Sequence, residues 1–338
     1  MSIQIKVLQD NKSINGFATS NLQLKITGKD INYIIINTLR RVAYSLVGAY
    51  AFDPQYMTIE KNTSIYNNDY MRSRISNFPI IDTDNILHNN DDLLDTFLKL
   101  EVDANKSIFE IQKNNLQELE EIEIKKKEMI DNLHIYIKAK NNTDDIMNVT
   151  TNAEYTTFYL GEKAIPDIYP RELLIIKLKP GEEFACYSIA NLNIPMYHNI
   201  FSSCTIFSYE EIDDNEFNVY IESRRQITEK DIIKKCCKLI CKKLINLKNI
   251  IISKIEGNTE AEYEAEIKIE NENHTLGNLI TRGIQDHKNI SFCGYKIDHP
   301  DINELTIKYK TEGDKFSNIL KQIIKKQIEI YEMIDSKI

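Results

Sequence analysis

Glu272-Asn273-His274-Thr275-Leu276-Gly277-Asn278-Leu279-Ile280, running on to Phe292-Cys293-Gly294-Tyr295-Lys296-Ile297-Asp298-His299-Pro300, decides how this chain folds. Just before it, Ala265 to Ile269 alternates apolar and charged residues with period two, as a half-buried strand does. Thr275 is placed to cap a helix with its hydroxyl. Leu276, Leu279, Ile280 and Ile284 then share one helical face, with Gly277 and Gly283 beside them. A helical glycine costs about 1 kcal/mol relative to alanine, so each is expected where another backbone comes close. Ile290 to Ile297 and Leu305 to Tyr309 read as two further strands. Asp314 opens a last helix with Phe316, Ile319, Leu320, Ile323, Ile324, Ile328 and Tyr331 on its buried side. The unit is strand, helix, two strands, long helix.

The front of the chain has the same grammar. Residues 1–12 form a short strand, and Leu22 to Ile26 alternates again before Gly28. Asp30 is placed to cap a helix whose stripe is Ile31, Ile34, Ile35, Leu39, Val42, Ala43, Leu46 and Val47, with Gly48 ending it. Tyr56 to Glu60 and Ser64 to Tyr66 read as short strands, and Asp69 to Ile75 as a helical turn. Much later, Phe184 to Ala190 and Glu216 to Glu222 return to a strand pattern. Thr228 then caps a long helix carrying Ile232, Ile233, Cys236, Leu239, Ile240, Lys243, Leu244, Leu247 and Ile251. Two such self-similar units pack face to face, as the halves of a C2 dimer would. Here both lie on one chain, joined around Gly257-Asn258, which predicts an intramolecular pseudo-dimer of class α+β.

His274-Thr275-Leu276-Gly277-Asn278-Leu279, followed by Gly294-Tyr295-Lys296 and His299-Pro300, resembles the eleventh subunit of eukaryotic RNA polymerase II and the archaeal L subunit, over roughly residues 258–335. Asn37-Thr38-Leu39-Arg40-Arg41, together with Asp69-Tyr70-Met71-Arg72-Ser73-Arg74-Ile75-Ser76-Asn77-Phe78-Pro79-Ile80, resembles the third subunit of the same polymerases, archaeal D, and the bacterial alpha N-terminal domain. The resemblance implies a discontinuous first domain, 1–80 and 181–256, an inserted and mainly β domain, 81–180, and a second dimerisation domain, 257–338. It implies contact between the halves through Ile35, Leu39, Val42 and Leu46 on one side, Leu276, Gly277, Leu279 and Ile280 on the other, and Phe316 and Ile323 from the last helix. Burying about ten such side chains at about 1.5–3 kcal/mol each would hold the halves together before ordering costs are counted.

Partners follow from the same likeness: the largest and second-largest polymerase subunits, small assembly subunits, and DNA and RNA only through the complex. Arg40, Arg41, Arg72, Arg74, Pro79 and His198 are the implied docking residues, the guanidinium fork being suited to carboxylates. An intramolecular salt bridge supporting the helix is an equal reading for the arginines, as a plain surface histidine is for His198. The lysine, tryptophan and proline usual in the family's loop are missing from Tyr197-His198-Asn199-Ile200-Phe201-Ser202-Ser203. In many relatives the insert carries a cysteine cluster for a metal or iron–sulfur centre. Residues 82–180 contain no cysteine, so no metal and no cofactor is expected. A free-standing fusion of these subunits is characteristic of large cytoplasmic DNA viruses. That implies virion and host cytoplasm (the viral factory), or the nucleus for a cellular chain.

Composition narrows the rest. The 338 residues carry a net charge of −9, which argues against broad electrostatic contact with nucleic acid. No apolar run approaches the roughly 20 residues needed to span a bilayer, and no signal-peptide pattern opens the chain, so an intracellular protein is expected. Six cysteines at 186, 204, 236, 237, 241 and 293 form neither a disulfide framework nor a C-x-x-C pair. Cys237 and Cys241 share a helical face, where buried thiols outweigh a two-ligand metal start. Asn114 to Asp131 is a charge-dense run that reads as a solvated helix or loop. There is no phosphate loop, no nucleophile elbow and no acidic triplet for two-metal chemistry. The carboxylate pairs Asp82-Thr83-Asp84 and Asp213-Asp214 read as turn or surface residues, so no catalytic residue is expected. Two rival classes stay open: an unrelated helical oligomeric adaptor, and an enzyme using the insert to bind substrate.

Overall fold

The computed structural model describes residues 2–12, 20–81, 93–110, 133–298 and 304–338. The front half contributes β1 (Ile3–Asn11), β2 (Asn21–Gly28), α1 (Tyr33–Ser45), β10 (Cys204–Asp213), β11 (Glu216–Ser223) and α4 (Glu229–Ile255). The back half contributes β12 (Glu264–Glu270), α5 (His274–Gln285), β13 (Ile290–Ile297), β14 (Glu304–Thr311) and α6 (Phe316–Lys337).

Topology makes the repeat explicit. The front sheet runs β1-β2-β11-β10 and the back sheet β12-β14-β13, all neighbours antiparallel. In each half the strand before the short helix pairs with the strand before the long helix: Leu24 faces Val219, and Ile267 faces Ile307. The α+β class and the two strand–helix–strand–strand–helix modules expected from the sequence are what the chain adopts. Among the described residues β1 has no counterpart in the back half. It adds a strand at the front edge, buries Ile3, and its Ile3 carbonyl accepts from the Lys337 ammonium at the end of α6.

Between α1 and β10 the chain builds a second body. β3 (Ala49–Asn62), β4 (Leu133–Lys140), β6 (Thr156–Leu160), β7 (Lys163–Ile165) and β9 (Glu183–Asn193) form a sheet ordered β3-β9-β4-β6-β7. β5 (Met147–Thr150) pairs with β8 (Leu174–Leu178), and α2 (Asn68–Ser76) packs on β3. Phe52, Met57, Met71, Ile75, Ile80, Ile135, Phe158, Phe184 and Cys186 share its separate core. The strands of this body begin and end outside 81–180, because β3 and β9 pair from Ala49↔Asn193 onward. α3 (Leu93–Glu110) lies within the expected insert in sequence, yet Leu94 and Phe97 join the core of the two halves.

Several local expectations are corrected. α5 is capped by Asn273, whose side chain accepts from the Thr275 amide at 2.9 Å, and not by Thr275. α1 is capped by Asn32, accepting from Ile34 and Ile35 at 3.0 and 3.1 Å, and not by Asp30. In each case an asparagine two positions away reaches the orphan amides. α1 ends at Ser45, before Gly48. Gly48 is there for space: a Cβ would stand 2.2 Å from the Asn193 carbonyl oxygen and 2.8 Å from the Phe97 ring. α6 opens at Phe316 with no side-chain cap, so Asp314 does not start it. Gly277 and Gly283 admit side chains and not backbone, Leu305 and Tyr295 at one, Ile323 and Gln327 at the other. Ser64 to Tyr66 is not a strand. His299-Pro300, Asp82-Thr83-Asp84 and the run Asn114 to Asp131 lie outside the described residues.

Candidate functional site

α1 and α5 are short, strongly amphipathic helices, and each packs both within its own half and on the other half. α1 packs on α4 and α5, α5 on α6, and α4 on α6, which gives four helices around one core. Ile35, Leu39, Val42, Leu46, Leu276, Leu279, Ile280, Phe316 and Ile323 all lie in that one continuous cluster, and Gly277 is buried beside them. Leu39 and Leu279 are 1% and 2% exposed and belong to the same core cluster.

Polar contacts cross the same seam. The Arg41 Nε donates to the Thr275 hydroxyl at 2.7 Å, and the Tyr331 hydroxyl donates to the Ile35 carbonyl at 3.5 Å. Lys326 pairs with Asp30 at 2.8 Å. The most enclosed contact is a triad. The Lys243 ammonium meets both oxygens of Glu101, at 2.7 and 2.8 Å, and reaches Glu272 at 3.2 Å. Lys243 and Glu101 are buried and the Glu272 side chain is 13% exposed, and the second Glu272 oxygen has no partner. Burial, with Glu101 adding to it against the pull of Lys243, raises the Glu272 carboxyl to about 7. Burial opposes the Lys243 charge, but the two carboxylates outweigh it and hold the ammonium above its ordinary range. One cation thus ties α3, α4 and the cap of α5 together. A lysine inside the apolar stripe of α4 was the sequence signal for it; its acidic partners, 142 and 29 positions away along the chain, left none.

The six expected docking residues do not form one cluster. Arg40 donates to Asn37 at 2.9 Å and lies 6.0 Å from the Tyr44 ring, on α1. Arg72 pairs with Asp69 at 3.1 Å on α2. Arg74 donates to the carbonyls of Ile175 and Leu174 at 2.7 and 2.8 Å, bracing the second body. Pro79 and the turn after His198 do meet. His198 Nδ1 accepts from the Ile200 amide at 3.2 Å, opening a 3-10 turn over Asn199–Phe201. Ile200, Pro79 and Arg224 then line a cleft of about 20 Å³. Arg224 holds it by donating to the Ile200 carbonyl at 3.1 Å.

No three His, Cys, Asp or Glu side chains are grouped as metal ligands among the described residues. Burial pushes the Cys237 thiol well above its ordinary value and that of Cys241 up to about 12. No helix of the described residues is long and apolar enough to cross a membrane.

Comparison with known proteins bears on this geometry. The sequence pattern of the RNA polymerase Rpb3/Rpb11 dimerisation domain matches residues 264–337, the whole back half from β12 to α6. The chain is 34% identical over 67 residues to the DNA-directed RNA polymerase subunit Rpo11 of Sulfolobus acidocaldarius, covering 20% of this chain and 71% of that one. The chain belongs to the Rpb3/Rpb11 family of RNA polymerase subunits. An Acanthamoeba polyphaga mimivirus chain, R470, named as a DNA-directed RNA polymerase subunit, is 25% identical over 320 residues, covering 92% of this chain and 86% of its own length. That likeness spans both halves and the second body. The RPAC2 subunit of Saccharomyces cerevisiae polymerases I and III is 31% identical over 83 residues, 24% of this chain and 58% of that one. A family that dimerises through this domain accounts for the four-helix seam, here closed within a single polypeptide.

Proposed function

We propose that this chain is a non-catalytic assembly platform of a multisubunit DNA-directed RNA polymerase. Its two halves stand in for subunits three and eleven. They close on each other first, then dock the second-largest subunit and afterwards the largest. Small assembly subunits join the same surface, and DNA and RNA are met only through the complex. In a viral setting that work belongs to the virion and the host cytoplasm. The observation that carries the reading is the burial of Leu39 and Leu279 in one core. Fusion places the second half at an effective concentration on the order of millimolar, so the pair needs no encounter step. Arg41 and Arg40 sit at the outer rim of that core, Arg41 already anchored by Thr275, which leaves their remaining N–H donors for a carboxylate-bearing partner.

The test is purification of the full-length tagged chain from its native source, followed by identification of every accompanying polypeptide. Recovery of both large polymerase subunits in equal amounts is the expected result. A chain that elutes with neither is an adaptor of another kind, and the proposal fails.

A further inference from the structure

The contact of a long helix with the cap of the opposite short helix is made twice in this molecule. At one junction Lys243 of α4 reaches Glu272, the residue before the Asn273 cap of α5, at 3.2 Å. At the other, Lys326 of α6 reaches Asp30, two residues before the Asn32 cap of α1, at 2.8 Å. The first junction is covered by α3. Phe97 lies against Gly48, just past the end of α1, and Glu101 sits one helical turn on, upon Lys243. The second junction has the matching walls: the N-terminal end of α1, the middle of α6 and the last turn of α5. Over it, among the described residues, there is no helix. In its place is a cavity of about 220 Å³ whose polar lining includes Lys29, Asp30, Arg282, Asp286, Lys326 and Gln327.

Two features mark this cavity as a seat and not a packing defect. Gln327 is 6% exposed and donates its Nε2 to the Leu279 carbonyl at 2.7 Å, while its Oε1 has no partner. A buried acceptor left unmade costs about 1–3 kcal/mol. The charges are also uneven. Lys326 takes Asp30, and Arg282 takes Asp286 at 3.7 Å, which leaves the Lys29 ammonium with no carboxylate among the described residues. The volume holds one or two side chains, since a water in the liquid takes about 30 Å³.

We infer that this open seat takes a helix of another polypeptide, presenting an aromatic or large apolar side chain to the cavity and a carboxylate one turn away. That is the Phe97–Glu101 arrangement by which α3 fills the matching junction. The carboxylate pairs with Arg282 at the rim, in the field of the Lys29 ammonium, and the apolar side chain lies over the buried Gln327 amide. The inference rests on the polymerase reading only for where the partner is sought.

The test uses the full-length chain with a photoreactive p-benzoylphenylalanine at position 29, purified with its accompanying chains, irradiated and digested. The expected product joins position 29 to one segment of another subunit that carries an aromatic and an acidic residue at helical spacing. Arg282→Glu and, separately, Arg282→Leu should each lower that yield at least tenfold while the melting temperature stays unchanged, since the Arg282 side chain is more than half exposed. The same photoreactive residue at Lys325, outside the cavity lining, should not give the product. Crosslinks confined to this chain, to a second copy or to nucleic acid would overturn the inference, as would no crosslink from position 29. Absence of the large polymerase subunits, with the segment still captured and still lost in both variants, would sink the polymerase reading and keep the seat.

Discussion

Arg41 and Thr275 are joined by a 2.7 Å hydrogen bond from guanidinium Nε to hydroxyl, across a sequence separation of 234 residues. It links the last turns of α1 to the first turn of α5, so the rim of one half's helix is fixed by the other half. Both side chains are solvent-facing, and an exposed polar pair of this kind contributes about 0–1 kcal/mol. Arg41→Ala should therefore lower stability by less than about 1 kcal/mol. If Arg41 also docks a large subunit, the same variant should recover much less of that subunit on co-purification. Denaturant unfolding beside quantified co-purification separates the two. A loss of partner that merely tracks a loss of folded chain would remove Arg41 from the docking set.

The seam itself predicts coupled unfolding. Leu39→Ala removes a buried side chain from a core that both halves share, and such truncations cost about 2–5 kcal/mol. Because the core is common, hydrogen exchange in α5 should accelerate as much as in α1. An α5 that keeps its protection in Leu39→Ala would mean the back half folds alone.

Much of this was legible before the coordinates. Strands β12 and β14 alternate cleanly, and the stripes of α1 and α5 are unbroken, so period alone placed them. β10 escaped because it is an edge strand with irregular pairing at both ends, between Cys204 and Ile206 and between Glu211 and Asp213, which breaks the period-two pattern. The period-two pattern shows β3 only from Tyr56 onward, and Pro54 lies inside the part it misses. In the fold it sits where the register slips between Phe52 and Met57, a place a strand tolerates proline. α3 joins the four-helix core through Leu94 and Phe97 and through Glu101 on Lys243, contacts no local pattern encodes. Of the docking residues, local sequence could not foresee that Arg74 would spend its donors on the carbonyls of Leu174 and Ile175.

The triad sets a pH dependence. The Glu272 carboxyl titrates near 7 in the folded chain against an ordinary 4.5, because burial disfavours its charge more than Lys243 restores it. Between those values the folded state holds a proton that the unfolded chain has released, so stability should fall as pH rises from about 4.5 to about 7 and then level off. Glu272→Gln should flatten that slope and be more stable than the parent at pH 8. Urea midpoints at pH 5, 6, 7 and 8 measure it, and parallel curves for the two proteins would show that Glu272 titrates normally.

Removing the cation tests the triad from the other side. Lys243→Met leaves Glu101 and Glu272 facing each other in a buried site, and breaking a buried pair in this way costs about 3–5 kcal/mol. Replacing all three together, Lys243→Met with Glu101→Leu and Glu272→Leu, removes the uncompensated charge and should restore most of that loss. The comparison also reports on α3, which the triad holds against α4. In Lys243→Met alone, limited proteolysis should cut within residues 93–110 at concentrations of protease that spare the parent, and in the triple variant that protection should return. Equal stability of the single and triple variants would mean that apolar contacts of Leu94 and Phe97 seat the helix without help from the charges.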